Sequence, residues 1–397
     1  MKAHRKGPGE TEAIARTQAK TRLFVRALKL TDFRNYAKAE LVLDARPVVL
    51  IGDNGSGKTN LLEAVSLLGP GSGLRSRPYG ELCRKEGAGG FAVAAKIVSR
   101  EDEVEIGTGL AAGTREESTG RIVRIAGKEQ GAGALSEHVK LVWLIPAMDG
   151  LFTGSASERR RFLDRLVLAV DPKMRTPIGR YDRAMRQRNR LFQMREGSRA
   201  LFDGLEEQMA EAGTAIAAAR LDAIERLIGL IEAMRAARGE SPFPWAAIAL
   251  EGRLEEALSR RPATEVEDEF RALLDEGRER DRAAARALEG PHLSDLIVMH
   301  GPKNAPAAHC SSGEQKALLI GLILAKAELI KELEGASPLI LLDEVAAHLD
   351  QARREALFGE ILSLGAQAWM TGTDRDLFAP LAENAQIFAV NQGKIRA

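Results

Sequence analysis

Cysteine is almost missing from this chain of 397 residues. Its two cysteines, Cys83 and Cys310, lie far apart and form no CxxC pair. That excludes zinc ribbons, zinc hooks and a disulfide scaffold, and it fits a reduced cytosolic setting. Aromatic residues make up only 5%, which gives little support to an extended base-stacking surface. No sign of charge predominates, with 57 Lys and Arg against 56 Asp and Glu. Any surface for a polyanion or a membrane must therefore come from uneven placement of charge. Long apolar runs are missing too. The longest, Ala317–Ala325, has nine residues, about half of what a spanning helix needs. The first 22 residues carry charges throughout and no apolar h-region. They read as a flexible basic arm, solvated more readily than bound to nucleic acid. No membrane partner and a cytoplasmic location are expected.

What is present falls into three stretches. Short runs rich in Val, Ile and Leu dominate the first third, including Leu23–Leu30, Pro47–Ile51, Phe91–Val98 and Leu141–Ile145. From about Ser155 to Leu288 the texture becomes Ala, Arg, Glu and Leu at helical spacing, as in Phe162, Leu163, Leu166 and Val167. After Gly290-Pro291 a mixed pattern returns, with a helix expected at Gln315–Leu333 and strands at Leu339–Leu342 and near Gln386–Val390. The reading is an α/β protein in which residues 23–154 and 291–397 form one head and residues 155–290 an inserted compact α-helical lobe. Pro172, Pro177, Gly204, Gly229, Pro242, Pro244 and Pro262 are expected to break the insertion repeatedly, which argues against a long coiled-coil arm.

The decisive motif is Gly52-Asp53-Asn54-Gly55-Ser56-Gly57-Lys58-Thr59, a phosphate-binding loop. An apolar strand enters it and a helix with apolar spacing leaves it. Glycines let backbone N–H groups close around phosphate oxygens, and the helix N-terminus adds a favourable dipole. Lys58 is expected on the β/γ-phosphates and the Thr59 hydroxyl on Mg²⁺. The bland alternative is ordinary turn chemistry, which the Lys-Thr pair argues against. Leu339-Ile340-Leu341-Leu342-Asp343-Glu344 reads as a buried strand ending in two carboxylates. Asp343 would hold the Mg²⁺ shell and Glu344 would orient or deprotonate the attacking water. Together they predict ATP or GTP with Mg²⁺, and catalytic roles for Lys58, Asp343 and Glu344.

Cys310-Ser311-Ser312-Gly313-Glu314-Gln315-Lys316 precedes an apolar helix, so Ser311, Ser312 and Gly313 offer a second anion site. A plain N-cap is the alternative. Its place before the Asp343 strand is that of the ABC signature, and Val345–Asp350 resembles a D-loop. In that superfamily both reach a nucleotide held by the other protomer, so an ATP-dependent homodimer is implied, with Asp350 crossing its interface. Lys58 and Ser311 are 253 residues apart, too far for a transporter subunit.

More specifically, Leu30–Tyr36 with Phe33-Arg34-Asn35, the phosphate loop, Leu74–Arg77, Phe152–Gly154, Arg159–Asp164, Gly290–Leu296 and Ser311–Lys316 resemble the bacterial RecF family, from about Leu23 to Ile395. The resemblance implies an ABC-type P-loop ATPase head and a weak, DNA-stimulated ATPase that works as a switch. It implies binding at gapped DNA or single-strand/duplex junctions. With RecO and RecR such a protein helps load RecA, supporting replication restart and SOS induction. Arg34 and Asn35 join the expected nucleotide contacts on this ground. Three departures from a generic signature are Cys310 for Leu, Ser312 for Gly and Glu314 for Gln. The switch histidine is also missing, with Thr373 nearby instead.

Charge is placed unevenly. Gly154–Ala200 holds 13 Arg or Lys against five acids, and Glu251–Asp281 eleven acids against six Arg. Arg159, Arg160 and Arg161 are therefore candidate DNA phosphate contacts, with Arg75 and Arg77 as alternatives. The competing reading pairs these arginines with the acidic segment. The six histidines have no HxH or HxxxH spacing, so they predict no metal site; His292 matches the family pattern without an assignable role. A structural SMC-type chromosome-organising ATPase is the alternative function. A short lobe without hinge or hook weighs against it.

Overall fold

The computed structural model describes residues 22–100, 102–114, 120–194, 196–238 and 241–396. Apart from Arg22, the expected N-terminal arm lies outside them. Strand β1 (Leu23–Phe33) shows how the sequence dictates the sheets. Leu23 and Val25 point into the core, then Leu28, Leu30 and Phe33 do, a change of phase. The register against β4 (Phe91–Ser99) shifts between Val25 and Ala27, and such a bulge restores the inward alternation of apolar side chains.

Two compact units emerge. The first comprises the described residues up to Met148 together with those from Lys326 onward. It contains an antiparallel sheet with the order β2 (Tyr36–Val42), β1, β4, β5 (Asp102–Leu110), β6 (Ile122–Ile125) and β7 (Lys128–Gln130). Its second sheet runs β15 (Lys394–Arg396), β14 (Gln386–Asn391), β3 (Val48–Ile51), β13 (Ala368–Gly372), β12 (Leu339–Leu342), β8 (Leu141–Leu144). From β14 to β8 every pairing is parallel. Parallel strands covered on both faces read as unbroken apolar runs, and all four residues of β12 are buried. Ligands of such sheets bind beyond the carboxyl ends of the strands. The phosphate-loop motif follows β3, the Asp343-Glu344 pair follows β12, and β13 lies between them.

The second unit, Asp149–Ala325, is mainly helical: Ala156–Val170, Arg175–Met194, Arg199–Arg238, Arg253–Leu258, Ala263–Glu276 and Arg278–Ala284. A small sheet of β9 (Ala246–Glu251), β10 (Asp295–His300) and β11 (Ala305–Pro306) joins them. Because β9 pairs along its whole length with β10, residues after Gly290 pack with the helices.

Three expected breaks do not occur. Pro177 sits in the first turn of Arg175–Met194, where a missing N–H costs no hydrogen bond. Gly204 and Gly229 lie inside the 40-residue helix Arg199–Arg238, where each costs about 1 kcal/mol relative to Ala. Tertiary packing offsets that cost. At Gly213 of the same helix an added Cβ would stand 2.8 Å from the Phe270 ring, so the helices approach more closely than Ala allows.

A buried ion cluster ties this unit together. The fully buried Arg188 donates to Glu206 at 2.9 Å, to Asp281 at 2.5 Å and to the Leu274 carbonyl at 2.8 Å. A buried guanidinium needs such complete pairing, since removing one partner strands the other's charge. Arg278 also pairs with Glu206 and Asp203, so the carboxylates of Asp203, Glu206 and Asp275 surround a cation that the protein itself supplies.

Candidate functional site

Gly52–Thr59 leaves β3 as a tight turn into the helix Lys58–Ser66. Two of its residues need glycine. Gly55 has φ +81° and Gly57 φ +117°, the region that L side chains avoid. A Cβ on Gly57 would also stand 2.5 Å from the Asn35 amide nitrogen and 2.7 Å from the Tyr36 hydroxyl. Asp53, Asn54 and Gly55 are exposed, while Ser56, Gly57 and Lys58 are buried.

Lys58 curls back over its own loop, donating from Nζ to the carbonyls of Gly52 (2.6 Å) and Asp53 (2.9 Å). Burial holds its pKa below the ordinary lysine value, while Glu344, Asp343 and Asp53 oppose that shift. Among the described residues the buried Ser56 Oγ has no hydrogen-bond partner. An unpaired buried hydroxyl is costly, and at a glycine-rich turn it is a polar group ready for an anion.

Thr59 donates to Asp343 Oδ1 at 2.9 Å. The phosphate-loop helix and the end of β12, 284 residues apart in sequence, thus meet at one carboxylate. Thr371, at the end of the intervening β13, donates to the same Oδ1 at 2.9 Å and accepts from the Glu344 N–H at 2.8 Å. Glu344 has φ +55°, a costly conformation for a residue with a long side chain. The Thr371 bond holds it there. Thr371 was invisible as a functional candidate, being one hydroxyl in a fully buried strand. Thr373, the residue expected near the missing histidine, is exposed. Paired oxygen donors on Thr59 and Asp343 are the set that suits a hard divalent cation.

The turn between β1 and β2 is sewn to the loop. Asn35 donates to the Ser56 carbonyl at 3.1 Å and accepts from Asn60 at 2.8 Å. The Tyr36 hydroxyl donates to the Gly57 carbonyl at 3.0 Å, and burial pushes the phenol's pKa up. Gly393 N–H donates to the same Ser56 carbonyl at 3.3 Å. Arg34, at φ +54°, forms a bidentate pair with the buried Glu63 at 2.8 and 3.0 Å. Arg75 lies 3.6 Å from Glu63 and donates to Asn60 at 3.3 Å, and Arg77 is exposed. Tyr36, Asn60 and Glu63 were missed in the sequence because each supports the site through another residue.

Ser311, Ser312 and Gly313 are exposed at the N-terminus of the helix Ser312–Glu334. Ser311 N–H donates to Glu314 at 3.0 Å, and Glu314 N–H donates to Ser311 Oγ at 3.4 Å. This is a reciprocal capping box, and Glu314, one of the departures from the generic signature, closes it. The Lys303 ammonium, 2.5 Å away, and the N–H and hydroxyl of Ser311 pull the Glu314 carboxyl down to about 2. Asp350 is exposed and caps the helix Gln351–Leu364, accepting from Arg353 N–H at 2.8 Å.

The three consecutive arginines part company. Arg159 forms two 2.7 Å bonds with the Asp295 carboxylate and one of 2.8 Å with the Gly154 carbonyl. Arg160 donates to the Ser294 carbonyl at 2.9 Å. Arg161 alone is exposed, 3.8 Å from Glu158. Of the acidic segment, Asp281 takes Arg188, while Arg180 pairs with Glu211, outside that segment, at 2.7 Å. His292 sits beside Tyr181, 2.7 Å from its hydroxyl, and its other ring nitrogen faces the Ala287 carbonyl at 3.1 Å. Burial lowers its pKa.

Against known proteins, residues 24–396 match the family model described as RecF/RecN/SMC N terminal domain. The chain is 53% identical over 369 residues to the DNA replication and repair protein RecF of Rhizobium leguminosarum bv. trifolii, covering 93% of this chain and 97% of that one. To the protein of the same name from Brucella suis biovar 1 it is 52% identical over 375 residues, covering 94% and 96%. Among solved structures, that of the recombination mediator protein RecF with ATP in the RecFOR pathway aligns at TM-score 0.79 and 21% identity, covering 94% and 97%. An Smc head domain from Pyrococcus furiosus aligns at 0.52 and 17%, covering 94% and 95%. At those identities the structures show the fold, an ABC-type ATPase head. Among the described residues, no helix is long and apolar enough to cross a membrane.

Proposed function

The chain belongs to the RecF family, and from that premise we propose that it is an ATP-switched DNA-binding protein of replication and recombinational gap repair. The observation that carries this reading is the Thr59–Asp343 contact, which unites the phosphate loop with the acidic strand end. ATP would lie on Gly52–Thr59, its phosphates met by loop N–H groups and by Lys58 released from the Gly52 and Asp53 carbonyls. Thr59 and Asp343 would hold Mg²⁺, which supplies charge neutralisation when bound. Glu344 would take a proton from the attacking water, and hydrolysis would be weak and DNA-stimulated. Arg34 and Asn35 support the same pocket.

Ser311, Ser312, Gly313 and Asp350 are exposed, as residues completing a partner's nucleotide site must be. An ATP-dependent homodimer follows from that role. The proposed division puts the ATPase work in residues 23–154 and 291–397 and nucleic-acid contact partly in 155–290. DNA at gaps or single-strand/duplex junctions would meet Arg161, Arg75 and Arg77; Arg159 and Arg160 are engaged within their own unit. RecR, RecO and RecA are the protein partners that family membership supports, in the cytoplasm, with replication restart and SOS induction as the outcome. Gel filtration with and without ATP, repeated with gapped DNA, tests the reading. A dimer that forms only with ATP and shifts again with DNA is expected. A nucleotide-independent monomer that ignores DNA would overturn it.

A further inference from the structure

The helix Arg175–Met194 divides its charge by face. Tyr181, Ala184, Arg188 and Phe192 are buried, at the 3–4 residue spacing of one side. Arg188 spends its charge there on Glu206 and Asp281. On the opposite side Arg183, Arg186 and Arg190 are all exposed. At about 100° per residue they fall within roughly a 60° arc. Thr176 and Gln187, uncharged hydrogen-bonding residues, lie beside them and are exposed as well. Arg186 Nε bonds the Asp182 carbonyl at 3.0 Å, which steadies the side chain without using its terminal nitrogens. None of the three arginines forms an ion pair among the described residues, in contrast to Arg159, Arg180 and Arg188. On this helix Asp182 is the carboxylate next to the row, four residues before Arg186 and about 40° from it around the axis. It is held above the usual carboxylate range chiefly by desolvation, with Arg186 opposing that shift.

We propose that Arg183, Arg186 and Arg190 form a docking surface for the phosphate backbone of nucleic acid. This rests on the reading of the chain as a DNA-binding protein and moves the centre of contact away from the Arg159–Arg161 run. Seven residues of helix span about 10 Å. Four consecutive phosphates of one DNA strand span about the same length, at about 3.4 Å of axis per step. Three guanidiniums on a rigid helix, each presenting several N–H donors, match that row of anions without reading bases. A membrane surface would call for several apolar residues beside the cations; from Thr176 to Arg190 this face carries none, and the exposed Met194 lies one turn beyond.

The test uses the full chain with Arg183→Gln, Arg186→Gln and Arg190→Gln combined, and separately with all three changed to Glu. Binding to a gapped duplex is titrated across salt concentrations with ATP present. Melting temperature and ATP-dependent dimerisation are recorded alongside. The expected result is binding roughly tenfold or more weaker, with the slope of log K against log salt less negative by about 2–3, one phosphate contributing about 0.9. The loss should be equal across sequences, and the Glu variant should lose more. Melting and dimerisation should stay as in the unchanged chain, since the three side chains are exposed. Binding by the unchanged chain with the same slope in both variants overturns this surface alone. No DNA binding by the unchanged chain overturns both this surface and the DNA-binding function.

Discussion

Asn35 donates its side-chain amide to the Ser56 carbonyl at 3.1 Å, and that bond decides which way the next N–H faces. In a planar trans peptide the Ser56 C=O and the Gly57 N–H point in opposite directions. With the carbonyl held by Asn35 and by the Gly393 N–H, the Gly57 N–H is turned away from the hairpin. In the proposed nucleotide site Asn35 would thereby act on a phosphate through the loop, as a positioning residue.

Asn35→Ala should weaken ATP binding roughly fivefold, the equivalent of about 1 kcal/mol for one hydrogen bond. Asn35 is exposed, so melting should hardly change. Calorimetric titration of nucleotide beside a thermal melt separates the two effects, and an unchanged Kd would show that the loop keeps its shape without this bond.

Lys58→Ala should abolish ATP-dependent dimerisation and weaken nucleotide binding while the fold survives. Among the described residues the ammonium bonds only loop carbonyls, and a point charge on the γ-phosphate would have no substitute in the loop. Sedimentation with and without ATP reads the outcome directly. A normal ATP dimer in the variant contradicts the role given to the loop.

How much of this was legible beforehand follows from how local each signal is. Gly52–Thr59 encodes its turn, its backbone donors and its helix start within eight neighbouring residues. Strand β12 announces itself as an apolar run with a charged end. Thr371 gave no such signal, because its value comes from β13 lying between β3 and β12, a matter of strand order. In the sequence the charge of Arg159–Arg161 reads as one patch. Whether a guanidinium faces solvent or Asp295 depends on β10, more than 130 residues later. Local composition counts charges and is silent on their partners.

Arg159→Ala should accordingly act on stability. Losing two charge-assisted bonds to Asp295 and one to the Gly154 carbonyl leaves a half-buried carboxylate without its bidentate cation, at a cost of about 1–3 kcal/mol. The salt dependence of DNA binding should stay as it was. Chemical denaturation and a salt titration on the same variant decide between these effects. A flattened slope with full stability would return Arg159 to the DNA surface.

Glu314 predicts a dependence on acid. Its folded-state pKa of about 2 lies below the ordinary value of 4.5. A group depressed on folding contributes stability that is complete above the unfolded pKa and disappears as pH falls through the folded one. The capping box at Ser311 should therefore loosen between about pH 4.5 and 2. Glu314→Gln should be less stable than the unchanged chain at neutral pH, with the difference shrinking across that window. Melting curves at several pH values test this, and a gap independent of pH would remove the carboxylate from the account.

Glu344→Gln separates binding from cleavage. The amide keeps the size of the side chain and leaves the bond from the Glu344 N–H to Thr371 intact, so the left-handed backbone at φ +55° should persist. What is lost is a base able to accept a proton from water, a contribution typically of 10²–10⁴-fold. ATP turnover should fall by about that factor while nucleotide affinity changes little. If both protomers must hold ATP for the dimer to grip DNA, the variant should stay dimeric and release DNA more slowly than the unchanged chain. Thr371→Val provides the contrast. It removes the hydroxyl from both Asp343 and Glu344, so affinity and turnover should drop together. Equal turnover in Glu344→Gln and the unchanged chain would assign the base to another group and leave Glu344 a structural end to β12.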